Sequence, residues 1–160
     1  MGALAEHPKF EVFLSGMPGG SLEDWRRAVR APSSELDGLL TEDDKAFARK
    51  FGIAEEDYAR GRLLHSYGKE RMKKRGEVLG RAVEEILGGI GPNYRLLAVI
   101  YESNKPRWVV RIWTPQKIVN VAIDHELGDD IVNSNTIQDQ ERLRELLQSS
   151  IERSEQIGKR

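Results

Sequence analysis

The sequence contains no cysteine. This removes disulfides, thiol nucleophiles and thiolate metal sites together, and it suits a reducing compartment, so the cytoplasm is the expected location. Long apolar runs are missing as well. No window approaches the roughly 18 consecutive apolar residues of a membrane span, so no membrane partner is expected. The opening stretch MGALAEHPKF has neither a basic region nor a long apolar core, and Glu6 stands where a myristoylation motif needs Ser or Thr, so no export or lipidation is indicated. An excess of one charge is also absent: 25 Lys and Arg against 26 Asp and Glu leave −1, which argues against a generalised polyanion binder. No serine stands in a nucleophile-elbow context, and His7 and His65 are isolated. The chain therefore reads as non-catalytic, with no cofactor.

What is present is a run of β-branched and aromatic residues from Asn93 to Asp124. It divides into three strands. Tyr94–Tyr101 is apolar on both alternating sets, Leu96, Ala98, Ile100 and Leu97, Val99, Tyr101, and is expected to be an interior strand covered on both faces. Arg107–Thr114 places Trp108, Val110 and Ile112 on one face and Val109, Arg111 and Trp113 on a wetter one. Lys117–Asp124 sets Val119, Val121 and Ile123 against Ile118, Asn120, Ala122 and Asp124, a half-exposed pattern. The connections are too short for a parallel crossover, so the three strands form an antiparallel meander. Lys9–Ser15 alternates weakly and suggests a further short strand, and Ile131-Val132-Asn133 suggests another after a turn at 125–130.

The first half is helical in pattern. Ser21 to Asp24 fits a capping box for a helix around Trp25 to Arg30, and Thr41 to Asp44 fits another. The glycine-rich stretch 15–21 after the first strand has the outline of a phosphate cradle, but the lysine and hydroxyl of a P-loop are missing, and the glycines serve simply to turn the chain. From Arg62 to Leu87 the period is helical, with Leu64, Val78, Leu79, Ala82, Val83 and Ile86 on one face. Arg71 and Arg75 interrupt that stripe, which implies either partial exposure or a break at Gly68 or Gly76. Gly88 to Pro92 ends the helix and is the one plausible internal boundary. Thr136 to Asp139 caps a last helix whose Leu143, Leu146, Leu147 and Ile151 should lie on a sheet face or a partner. The expected fold is α+β: one domain over 1–160, a helical N-terminal half over about 1–90, then a three- to four-stranded antiparallel meander and a closing C-terminal helix over about 91–160.

Three sites suggest three functions. Residues 60–75 carry seven bases, Arg60, Arg62, Lys69, Arg71, Lys73, Lys74 and Arg75, against the single acid Glu70. That polarity points to a cytosolic accessory or regulatory protein that docks an acidic protein partner there, with Leu63, Tyr67 or Met72 as apolar anchors. The alternative is a nucleic-acid-binding regulator, because Ala48, Gly52, Ile53 and Tyr58 have the spacing of a helix-turn-helix pair within residues 42–67. Against it, the first turn of the second helix carries Glu55, Glu56 and Asp57, which a duplex would repel, and Gly61 stands where an apolar anchor is usual. The third reading is a metal-dependent hydrolase built on the acidic turn of Asp124, Glu126, Asp129 and Asp130 around His125, although such acids also gather at turns for local capping.

Overall fold

In a computed structural model, residues 9–16 and 21–158 are described. Their order is β1 (Glu11–Ser15), α1 (Leu22–Arg30), α2 (Ser33–Leu36), α3 (Glu42–Lys50), α4 (Glu55–Ile90), β2 (Arg95–Glu102), β3 (Arg107–Trp113), β4 (Ile118–Asp124), α5 (His125–Asn133) and α6 (Ile137–Gly158). The class is α+β. Two compact units result, a sheet unit within Met1–Gly16 and Lys73–Arg160 and a helical unit within Met17–Met72.

In the sheet unit the strands lie in the order β1-β2-β3-β4. The two hairpins are antiparallel as their short connections require, but β1 pairs parallel to β2, so the sheet is mixed rather than a pure meander. The covered face is built in rows. Val12, Val99, Val110 and Val121 stand side by side across all four strands, followed by Leu14, Tyr101, Trp108 and Ile123. Trp108, Val110, Ile112 and Ile123 are fully buried, and each such side chain contributes on the order of 1.5–3 kcal/mol. Trp108 fits only because two helices meet it through glycine. A Cβ on Gly76 of α4 would lie 3.1 Å from its ring, and one on Gly128 of α5 would lie 2.6 Å away. Leu143, Leu147 and Ile151 of α6 are buried, and α6 packs on β4 and α5, which answers the question of what its stripe covers.

Three local expectations are corrected here. The alternating sets of β2 do not survive, because the pairing with β3 shifts between Leu96 and Ala98. Leu97 is the extra residue of a bulge, and beyond it the parity reverses, so Leu96, Val99 and Tyr101 share the covered face. Strand β2 is interior, and its other face is only partly covered: Ala98 is buried, Ile100 half-buried and Leu97 exposed. Second, residues 125–133 are the helix α5 and not a turn followed by a strand. Asp124 accepts a hydrogen bond from the Leu127 N–H at 2.8 Å as N-cap, and Leu127 and Ile131, four residues apart, are buried on one side. Third, Gly68 and Gly76 do not break α4, which runs uninterrupted for 36 residues. Close approach explains Gly76, whose added Cβ would also lie 2.5 Å from Val12.

The helical unit has a small core of Ala28, Ala31, Leu36, Ala59, Leu63 and Tyr67. Both expected capping boxes form: Ser21 and Asp24 at α1, Thr41 and Asp44 at α3. The α3–α4 turn is also as its spacing implies. Gly52 has φ +68°, Ala48 is fully buried, and the Ile53 N–H donates to the Ala48 carbonyl at 2.8 Å. Residues 17–20 of the glycine-rich stretch, together with His7, lie outside the described residues.

Candidate partner-binding surface

The seven bases of the 60–75 stretch lie along α4, and the four arginines all meet carboxylates. Arg60 pairs with Glu56 at 2.7 Å, Arg62 with Asp44, Arg71 with Asp24 at 2.9 Å, and Arg75 with Asp129. Those contacts explain how Arg71 and Arg75 fall within an apolar stripe without breaking the helix. Lys69, Lys73 and Lys74 stand exposed. The expected apolar anchors are corrected: Leu63, Tyr67 and Met72 are buried, because they form the inward stripe of α4.

Asp24 is the hinge of local electrostatics in the helical unit. Its burial alone would raise the carboxyl, but hydrogen bonds from Arg71 and Ser21 outweigh this and hold it below the ordinary carboxylate range. At α3 the Thr41 backbone N–H, its hydroxyl and Arg62 hold Asp44 low in the same way, again against some desolvation. Tyr67 donates to Glu35 at 2.6 Å and carries the Arg27 guanidinium 3.7 Å above its ring. Burial and the Glu35 carboxylate push its phenol up.

Helix α1 is inverted for a packed helix. Ala28 and the ion-paired Asp24 face inward, while Leu22, Trp25 and Val29 are 63%, 54% and 46% exposed. Their spacing of three and four residues puts them on a single outward stripe. Arg26 and Arg30 follow next around the helix, and with Leu22, Arg27, Glu35 and Tyr67 they line an open groove. A second exposed apolar group lies at the α3–α4 turn, where the Phe47 ring packs at a tilt against Phe51, centroids 4.6 Å apart, and against Tyr58 at 5.8 Å. The spacing of Leu22, Trp25 and Val29 is the one signal of these surfaces that the sequence carries.

At the turn proposed to read nucleic acid, the acids of the first turn of α4 are partly engaged: Glu55 meets Arg49 at 3.4 Å and Glu56 meets Arg60. Gly61 is exposed, with open space around it. The acids of the other candidate site are dispersed by the helical form of α5. Asp124 caps, Glu126 is exposed, Asp129 meets Arg75 and lies 3.1 Å from His125, and Asp130 meets Arg142 at 3.5 Å. Among the described residues no three His, Asp or Glu side chains come together as a metal ion would need. No helix among them is long and apolar enough to cross a membrane. No protein-family model, no curated protein and no solved structure matches this chain.

Proposed function

We propose that the chain is a non-catalytic accessory protein that binds an acidic segment of a protein partner through α1. The observation that carries this is the inverted helix: Leu22, Trp25 and Val29 point outward while Arg26 and Arg30 flank them. A short helix that exposes a tryptophan between two aliphatics leaves apolar area in water unless a partner covers it. Tryptophan and arginine are also the side chains that most often dominate such contacts. The arginines of the 60–75 stretch serve the fold under this reading, and its exposed lysines Lys69, Lys73 and Lys74 supply charge for steering.

The test is recovery of a partner from the native host with tagged wild-type protein and with two variants. Trp25→Ser combined with Arg26→Glu should lose the partner while the melting temperature changes little, because surface changes of this kind stay within about 0.5 kcal/mol. Glutamine at Lys69, Lys73 and Lys74 should slow association but leave the partner bound at low salt. A partner retained by the α1 variant defeats the proposal. Nucleic acid that co-purifies at low salt, read from the 260/280 nm absorbance ratio and lost with the lysine variant, would favour the nucleic-acid reading instead.

A further inference from the structure

We propose that the free edge of β4 pairs with the same edge of a second copy, antiparallel, to join two four-stranded sheets into one. Strand β4 ends the sheet. Its pairing with β3 fixes which backbone groups are left over. The Thr114 N–H donates to the Lys117 carbonyl, so hydrogen-bonded pairs recur at every second residue: Ile112 with Val119, Val110 with Val121, Trp108 with Ile123. The intervening residues Ile118, Asn120 and Ala122 direct their N–H and C=O groups away from β3. All three are exposed, and among the described residues no other backbone group bonds to these.

Natural edge strands are blunted by shortness, proline, charge or a bulge. The other edge shows this: β1 has only five residues and an acid, Glu11, in its exposed row. Strand β4 has seven residues, and its one charge, Asp124, stands at its last position. Residues 118–123 contain no charge, proline or glycine, and the β3–β4 register is unbroken.

The occupant we commit to is a second copy, because the strand complements itself. Only a two-fold axis falling on a residue brings outward groups opposite outward groups. With the axis at Asn120, Ile118 faces the other copy's Ala122, Asn120 faces its own mate, and Val119 faces Val121. About six backbone hydrogen bonds form, two for each facing pair of outward residues. Ile118, 53% exposed, gains a small apolar neighbour. Lys117 and Asp124 close the strand with opposite charges, and antiparallel pairing brings the positive end of each copy beside the negative end of the other.

The experiment is sedimentation velocity of the full chain up to about 100 µM, with two variants. Wild type should sediment as a dimer. Ala122→Pro removes an outward N–H that the monomer does not use, a position where edge strands accept proline, and should give a folded monomer with a cooperative melt. Because the chain has no cysteine, Asn120→Cys provides an independent register test. Facing hydrogen-bonded residues lie about 5.5 Å apart at Cα, within disulfide reach, so mild oxidation should cross-link this variant at low concentration and leave Ile118→Cys uncross-linked. A monomeric wild type at 100 µM, a dimer unaffected by Ala122→Pro, or equal cross-linking of the two cysteine variants overturns the proposal.

Discussion

The two units differ in how many of their large apolar residues they bury, although each also exposes several. In the sheet unit Trp108, Leu79, Leu87, Ile112, Ile123, Ile131, Leu143 and Leu147 are fully buried. In the helical unit three of the six core residues are alanine, while Leu22, Trp25, Val29, Phe47, Phe51 and Ile53 are exposed. Burial contributes roughly 25 cal/mol per Å² of apolar area, so the helical unit draws little of its stability from burial and depends more on capping boxes and ion pairs. Such a unit is expected to open at lower free energy than the sheet unit. The difference also explains why the two candidate surfaces differ in kind. In the helical unit the unsatisfied element is side-chain area, on α1; in the sheet unit it is backbone polarity, on β4.

The largest expected effect comes from striking the well-buried unit. Val99 is fully buried in the central row of valines, and Val99→Asp would place an unpaired carboxylate there. The cost is several kcal/mol against a total stability of about 5–15 kcal/mol, so the variant should not melt cooperatively by circular dichroism. Cooperative melting near the wild-type temperature would show that the core of the sheet unit is not where its stability lies.

A matched pair on one helix sharpens the comparison at smaller amplitude. Gly80→Ala would set a Cβ 2.2 Å from the Phe10 ring, whereas nothing lies within 4 Å of the corresponding atom at Gly61. Overpacking costs roughly 1–3 kcal/mol, partly offset by helix propensity, so Gly80→Ala should lower the denaturation midpoint. Gly61→Ala gains propensity alone, about 0.5–1 kcal/mol, and should raise it. Equal signs for the two would erase the packing difference along α4.

The smallest effect is acid sensitivity confined to the helical unit. Asp24 and Asp44 both have lowered carboxyls. A depressed folded pKa contributes stability that is present above the unfolded value near 3.9 and lost as pH falls through the folded one. Amide exchange in α1 and α3 should therefore accelerate relative to β2 and β3 as pH drops below about 4, once corrected for intrinsic rates. Asp24→Asn should remove part of that dependence. Uniform acceleration across both units would mean that these carboxylates do not set the acid response.

How much of this could be read in advance depended on the range of the forces involved. Strands β3 and β4 were legible to within a residue or two, because a half-buried strand writes a period of two into its own side chains, and the caps at Ser21, Thr41 and Thr136 were legible because a capping box closes within four residues. The bulge at Leu97 was not legible: both alternating sets of β2 are apolar, so only the register with β3 decides which one is covered. The helix at 125–133 was misread because Ile131-Val132 resembles a strand locally, while the buried contact of Gly128 with Trp108 is long-range. The fate of the basic stretch was likewise beyond local reading. Composition by itself determined that thiol chemistry is absent and that seven bases gather within 60–75. Only the tertiary structure decided that the arginines among them meet carboxylates and that α1 turns its apolar stripe outward, because an ion pair such as Arg71 with Asp24, 47 residues apart, exists only once the chain has folded.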